Sequence, residues 1–247
     1  METIIEKRGD ALIYVGLTRA KKLAHLLPPD MTVHRVLPGI SFFAVGIFKY
    51  REIADLRQGN ERFRWKDVYD ATIQIPVDLH NTKNSFYVYR LYNTCREVVE
   101  WAKGDCLNKI PSAVEWSEGQ RKLSVQVRRT AGPAESLTLT GQNLFSLPRF
   151  LWKVNPCRSL VDAHLLSEYL GARYTFQGIL EVGRSYLSRV TLRAEGLDLP
   201  SPFASFGICL KDYDPLRIKP IFKLYHPCEY NPAVRDVSVE LKHRKVA

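Results

Sequence analysis

The sequence lacks the features of membrane-spanning and secreted proteins. It has no apolar run of about 18 residues, the length that a transmembrane helix needs. Its first residues, Met-Glu-Thr-Ile-Ile-Glu-Lys-Arg, are charged and lack the apolar core of a signal peptide. The five cysteines are an odd number without a Cys-x-x-Cys pair, which favours reduced thiols over disulfides or a zinc site. We therefore expect a cytoplasmic protein.

Motifs of several large enzyme classes are also missing. The chain has no Gly-x-Gly-x-x-Gly or Gly-x-x-x-x-Gly-Lys-Ser/Thr loop for nucleotide phosphates, and no Gly-x-Ser-x-Gly nucleophile turn. Its six histidines show no metal-ligand spacing such as His-Glu-x-x-His. No metal or cofactor is therefore expected, and any catalysis would depend on lysine, arginine and carboxylate side chains.

The formal net charge of +10 does not by itself indicate a nucleic-acid partner. Lysine and arginine are scattered among 26 acidic residues, and the densest basic clusters, 19–22 and 242–245, are short. We expect a solvated basic surface with neither a nucleic-acid nor a membrane partner. A positive field would attract small anionic substrates such as carboxylates.

Most of the chain alternates apolar and polar residues, which predicts β-strands. Clear examples are 123–128, 137–140 and 188–193. Further strands are predicted at 11–17, 42–50, 69–77, 86–92, 205–210 and 218–225. Helices are predicted at 18–27, at 96–103 after the capping-box pattern Thr94-x-x-Glu97, and at 160–170. Many strands with few helices indicate a mainly antiparallel β protein.

The domain organisation is expected to be simple. We predict a single domain over 1–247, with a seam, if there is one, near Gly141 to Pro148. The tail after Pro232 is expected to be mobile.

One lysine stands out in the run Cys-Leu-Asn-Lys-Ile-Pro-Ser-Ala-Val-Glu-Trp, 106–116. Lys109 lies among apolar residues, although burying an unpaired ammonium costs far more than its methylenes recover. Either Lys109 is a structural lysine whose head reaches water, or it is placed there for chemistry.

Four segments, in order and with similar spacing, match one known family. They are Arg8 to Pro28, Tyr69 to Val77, Tyr89 to Lys109 and Phe150 to Pro156. The first has an arginine before a strand and a helix that ends in Leu-Leu-Pro; the second places Asp70 where the family has a glutamate before Ile-Pro-Val. The third is a strand, a short helix with Arg-Glu, and a lysine. Over roughly 8–230 the chain resembles the acetoacetate decarboxylase family.

This resemblance implies a cone-like antiparallel β barrel with a few flanking helices and a pocket inside the cone. It implies that Lys109 is the Schiff-base lysine, Arg8 the carboxylate-binding arginine, and Asp70 the acid/base or orienting carboxylate. Arg90, in the alternating run 86–92, is a further candidate for substrate binding. Only a free amine attacks a carbonyl, so such a lysine's pKa must fall from about 10.4 towards neutrality. Acetoacetate decarboxylase is itself the standard example of activation by desolvation or a neighbouring cation.

The sequence departs from the family pattern around its candidate lysine. Ile110 stands where the family has a second lysine, and Asn108 stands in place of proline. A second glutamate expected near 43–45 has no counterpart, and Asp70 is one methylene shorter than glutamate.

These departures leave three interpretations open. The protein is a decarboxylase-like lyase acting on a small or medium β-keto or oxo acid; or it catalyses another imine reaction, such as an aldol-type condensation; or it is a non-catalytic barrel that binds a hydrophobic or carboxylate ligand. The expected partner is in each case a small molecule, and homo-oligomer formation stays open.

Overall fold

Twelve strands, one α-helix and two short 3-10 helices make up the described part of the chain. A computed structural model describes residues 3–29, 31–57, 60–79, 82–104, 109–119, 121–148, 164–167, 173–176 and 181–221. The strands are β1 (Thr3–Arg19), β2 (Thr32–Val33), β3 (Ile40–Arg57), β4 (Asn60–Leu79), β5 (Thr82–Asn93), β6 (Ile110–Glu118), β7 (Lys122–Arg129), β8 (Ser136–Leu147), β9 (His164–Ser167), β10 (Arg173–Phe176), β11 (Glu181–Glu195) and β12 (Ala204–Ile221). Helix α1 is Arg96–Gly104, and the 3-10 helices are Ala20–Lys22 and Ala24–Leu26.

Hydrogen bonding between neighbouring strands closes a nine-stranded barrel. Its strand order is β5-β6-β7-β8-β11-β12-β1-β3-β4, and β4 pairs with β5 to complete the ring. The pairs are antiparallel except that β5 runs parallel to β6 and to β9. The predicted mainly antiparallel β barrel with few helices is confirmed.

A second closed path shares part of this barrel. Strands β9 and β10 join β5 to β12, so β12, β1, β3, β4 and β5 also belong to a seven-stranded ring with β9 and β10. The five shared strands therefore take part in two closures.

The apolar core lies on one face of the barrel sheet. In β7, Leu123, Val125 and Val127 are buried, whereas the alternating Lys122 and Ser124 are exposed. Matching buried residues from the other strands complete the core; they include Leu12, Val45, Ile47, Ile73, Ile75, Leu137, Leu139, Val190 and Cys209. Because successive side chains of a strand point to opposite faces, this alternation identifies the packed face of β7, whereas β4 and β5 carry buried residues on both faces.

Two of the three predicted helices differ in form from the expectation. The segment 18–27 ends β1 and continues as the two 3-10 helices; Leu23, Leu26 and Leu27 pack into the core as the pattern indicated. Within the predicted helix 160–170, His164–Ser167 is instead strand β9, because it pairs with both β5 and β10.

Helix α1 begins at the predicted residue but without the predicted cap. The Thr94 hydroxyl accepts a hydrogen bond from the backbone N–H of Tyr69 at 3.0 Å, and the Glu97 carboxylate accepts one from the Cys95 thiol. The Thr94 hydroxyl therefore ties the turn before α1 to β4 instead of capping the helix. None of the helices in the described ranges is both long and apolar enough to cross a bilayer.

The predicted seam near 141–148 and the predicted mobile tail after Pro232 both stay predictions. Residues 141–147 form the second half of β8 and pair with β11. The segment 150–156 and the tail 232–247 lie outside the described residues.

Replacing Leu139 with alanine tests the interior assignment. Leu139 is 0% exposed, so the variant should lose about 2–5 kcal/mol of unfolding free energy through lost burial and an unfilled cavity. Ser124→Ala, on the solvent face of β7, should change it by less than about 0.5 kcal/mol. Urea denaturation followed by circular dichroism measures both, and equal effects would contradict the assignment.

Candidate functional site

Lys109 and Asp70 form a buried ion pair. The Lys109 side chain is 5% exposed and the Asp70 side chain 2% exposed. Lys109 Nζ donates to Asp70 Oδ1 at 3.0 Å and to Oδ2 at 3.3 Å. The two residues most strongly implicated by the sequence are therefore in direct contact.

The strand register explains why these distant residues meet. Asp70 lies in β4 opposite Asn93, the last residue of β5. Strand β6 starts beside the same end of β5, with Tyr92 opposite Ile110 and Asn93 opposite Pro111. Lys109 immediately precedes β6, so it arrives next to Asp70 across the end of β5.

Asn93 is the third member of the site. It is 1% exposed, and its side-chain amide donates to Asp70 Oδ1 at 2.5 Å. Its side-chain oxygen, Oδ1, accepts a hydrogen bond from the Cys95 backbone N–H at 2.7 Å. Asn93 therefore fixes the orientation of the Asp70 carboxylate and the turn into α1 at once.

The sequence alone did not single out Asn93. An asparagine just before a helix is a common turn residue, because its side chain bonds the backbone two residues on. That signal predicts the bond to Cys95. The bond to Asp70 requires the β4–β5 register, which no local pattern reveals.

The trio lies on the face of β4 and β5 opposite the apolar core. In β4 the core takes Ala71 and Ile73, while Asp70 and Thr72 point the other way. Phe48 of β3 pairs with Asp70, and Leu91 of β5 pairs with Thr72, on that same face. The charges are thus held in a dry setting apart from the packed interior.

The electrostatics of the pair work in two directions. A carboxylate within hydrogen-bonding distance favours the ammonium over the free amine. Burial weakens the solvation of both charges, which brings the uncharged amine and carboxylic acid closer in free energy to the ion pair. The 3.0 Å contact is short enough for a proton to pass directly from Lys109 Nζ to Asp70 Oδ1.

Arg90 lies on the opposite face from this trio. Its guanidinium Nε is 3.5 Å from Glu135 Oε1, a carboxylate that also pairs with Arg129 at 3.1 Å and accepts a 2.7 Å bond from the Tyr92 hydroxyl. Desolvation, and then the bond to Glu135, raise the pKa of the Tyr92 phenol.

A β-bulge accounts for the orientation of Arg90. Gln74 pairs with Val88, but the preceding residue of β4, Ile73, pairs with Arg90, so Tyr89 is an extra residue in the ladder. The bulge shifts the alternation by one, and Arg90 turns to the core side although Phe86 and Val88 face the other way. The structure does not bring Arg90 to Lys109.

Arg8 is likewise distant from the pair. It is exposed and lies opposite Glu52, which in turn lies opposite Lys66 of β4. Lys66 lies four positions before Asp70 in β4, about 13 Å along the strand, and Arg8 is two strands away. A role for Arg8 in binding a substrate carboxylate stays a prediction.

No cluster of three or more histidine, cysteine, aspartate or glutamate side chains suited to a metal occurs within the described ranges. The site offers a paired amine and carboxylate, which suits proton transfer and carbonyl chemistry.

Comparison with solved structures gives one consistent fold. No family model and no curated protein sequence matches the chain. It is similar to an acetoacetate decarboxylase structure with a TM-score of 0.63 and 12% identity, covering 88% of each chain. It is similar to the acetoacetate decarboxylase of Legionella pneumophila with a TM-score of 0.61 and 11% identity, over 88% of this chain and 86% of that one.

A third similar structure is the enduracididine biosynthesis enzyme MppR complexed with pyruvate. Its TM-score is 0.60 at 10% identity, over 89% of this chain and 88% of that one. These neighbours are acetoacetate decarboxylase and acetoacetate decarboxylase-like enzymes, so the chain has the acetoacetate decarboxylase fold, as the sequence resemblance predicted.

Substituting Asp70 by asparagine tests whether the pair is desolvated. It leaves the Lys109 ammonium buried without its carboxylate, which should cost about 3–5 kcal/mol of unfolding free energy at pH 7. Raising the pH should recover part of this lost unfolding free energy. In the variant the buried Lys109 binds fewer protons in the folded chain than in the unfolded chain, so stability rises with pH.

The double variant Asp70→Asn/Lys109→Met should lie closer in stability to the wild type than Asp70→Asn does. Urea unfolding between pH 7 and pH 10 measures all three proteins. A loss below about 1 kcal/mol in Asp70→Asn would show that the pair is solvated.

Proposed function

We propose that the protein is an acetoacetate decarboxylase-like enzyme that forms a Schiff base between Lys109 and a small or medium β-keto or oxo acid. The observation that carries this proposal is the buried contact of Lys109 Nζ with the Asp70 carboxylate at 3.0 Å. The fold, shared with acetoacetate decarboxylase-like enzymes, supports it.

The pair has the groups that such a reaction needs. Proton transfer from Lys109 Nζ to Asp70 leaves a neutral amine, which attacks the substrate ketone; loss of water gives a protonated imine. In a β-keto acid, the electrons of the bond to the carboxylate then move into the imine, carbon dioxide leaves and an enamine forms. Expelling water consumes the proton that Asp70 took from Lys109, so the Asp70 carboxylate takes a new proton from solvent and passes it to the enamine carbon. Water then hydrolyses the resulting imine and releases the product from Lys109.

Activation of Lys109 would rest on desolvation and proton exchange rather than on a second lysine. The position after Lys109 is Ile110, which pairs with Tyr92 and packs against the apolar core. A lysine there would turn its ammonium towards that core, so isoleucine suits the local packing. Burial of Lys109 beside its own proton acceptor supplies another route to the amine.

Asn93 would act as a positioning residue. Its amide holds Oδ1 of Asp70, the same oxygen that Lys109 contacts at 3.0 Å. This donor also favours the charged form of the carboxylate, which would limit how readily Asp70 takes the proton.

A related imine reaction is the second candidate. One similar structure is MppR complexed with the condensation product of pyruvate and imidazole 4-carboxaldehyde, with a TM-score of 0.59 at 10% identity. That complex favours including aldol-type condensation among the reactions to be tested for this chain. A non-catalytic ligand-binding role would instead leave Lys109 as a permanent ammonium beside Asp70.

Reductive trapping tests the proposed Schiff base. The protein is incubated with acetoacetate, pyruvate or a longer oxo acid, borohydride is added, and the adduct is located by peptide mapping. Borohydride converts an imine into a stable secondary amine, so we expect an adduct mass on the peptide that contains Lys109.

Two variants serve as controls for the trapping. Lys109→Ala should give no adduct, whereas Lys211→Met should give the wild-type yield, since Lys211 pairs with Glu118 and Asp10 instead. Absence of any adduct with every carbonyl compound would overturn the imine mechanism. Carbon dioxide release, measured alongside, separates decarboxylation from condensation.

Asn93→Ala tests the positioning role. We expect trapping on Lys109 to slow by about tenfold, the effect of losing one hydrogen bond to a charged group. The acid limb of its pH–rate profile should move to higher pH, because Asp70 loses a donor that favours its carboxylate form.

The matched control is Asn143→Ala, since Asn143 is a strand asparagine that accepts a bond from Ser188 away from the site. An unchanged pH profile in Asn93→Ala would assign Asn93 a structural role alone.

A further inference from the structure

A basic cleft lies where β1 ends and β3 begins. Its volume is about 400 Å³, within the usual range of small-molecule sites. Three cationic side chains from two parts of the chain line it: Arg19 at the end of β1 and Lys21 in the 3-10 helix that follows, and Arg35 in the connection from β2 to β3. The turn 38–40 also lines it.

Backbone hydrogen bonds join the two parts of the chain that line the cleft. Arg19 pairs with Ile40, and the Ala20 N–H donates to the Gly39 carbonyl at 3.0 Å. The Ile40 N–H donates to the Leu37 carbonyl at 2.9 Å, which closes the turn. Gly39 has a φ of +72°, a conformation that suits glycine, and a Cβ there would meet open space. The three basic residues are therefore presented on a preformed frame.

The charge around this cleft is of one sign. No carboxylate is among the described residues that line it. Within the described ranges, none of Arg19, Lys21 and Arg35 has an ion-pair partner. Other surface arginines do have one, as Arg51 has in Asp212 and Arg64 in Glu52. Gathering three cations around one concavity concentrates a field that attracts anions.

We propose that the basic cleft binds a small phosphate-bearing polyanion, such as a diphosphate or a phosphate ester. Two guanidinium groups offer planar pairs of N–H donors that match phosphate oxygens, and the Lys21 ammonium adds a third positive charge. A multiply charged phosphate balances three cations better than a single carboxylate does.

The cleft is separate from the Lys109 site. Ile40 is eight residues from Phe48 along β3, and Phe48 pairs with Asp70, so about 26 Å of strand lies between the two places. The proposal therefore does not depend on the proposed Schiff-base chemistry.

Calorimetric titration of the protein with inorganic diphosphate, at fixed ionic strength and without divalent cations, tests the proposal. Wild-type protein should bind saturably. The double variant Arg19→Gln/Arg35→Gln should bind diphosphate at least about tenfold more weakly than wild type, because it loses charge-assisted hydrogen bonds to the anion.

The matched control is Arg121→Gln/Arg189→Gln, which removes the same charge from two exposed arginines elsewhere. It should bind within about twofold of wild type if the effect is local rather than a general change in charge. Thermal melts check that both double variants fold. No saturable binding to wild type, or equal weakening in the two double variants, would overturn the proposal. A shift of the Gly39 amide resonance in the wild-type titration would locate the bound anion at the cleft.

Discussion

The burial of one ammonium beside one carboxylate constrains the structure around it. Neither Lys109 nor Asp70 could be held in a dry setting alone, because an isolated buried charge costs several kcal/mol. Their contact therefore depends on the register of three strands. Strand β4 carries Asp70, β5 carries Asn93 opposite it, and Lys109 is the residue immediately before β6. A shift of one residue in β4 would turn Asp70 towards the apolar core, and a shift of one residue in β5 would turn Asn93 away from Asp70.

The barrel separates packing from chemistry by using the two faces of the same strands. Alternating residues of β4 give Ala71 and Ile73 to the core and Asp70 to the polar trio. The same rule explains Ile110, which faces the core one residue after Lys109. The other side of β5 holds a second buried carboxylate, Glu135. It forms ion pairs with Arg90 and Arg129 and accepts a hydrogen bond from the Tyr92 hydroxyl.

Much of the fold could be predicted from the sequence, and less of the site. Alternation in 123–128 and 137–140 predicted strands whose buried residues are those expected, because one solvated face leaves a clear period of two. The sequence predicted both Lys109 and Asp70 as site residues, and their side chains are in contact. The orientation of Arg90 was not visible, because the bulge at Tyr89 is defined only by its partner strand. Asn93 was missed for the same reason, and strand pairing at His164–Ser167 overrode a helical pattern.

Nuclear magnetic resonance on the intact protein tests the chemistry of Lys109 most directly. The protein, labelled with ¹⁵N at lysine Nζ, is mixed with pyruvate or acetoacetate labelled with ¹³C at the ketone carbon. A resonance of that carbon with one-bond coupling to lysine nitrogen, present in wild type and absent in Lys109→Ala, is the predicted result. A spectrum that shows only free ketone and hydrate with either compound, at every pH at which the protein is folded, would contradict it.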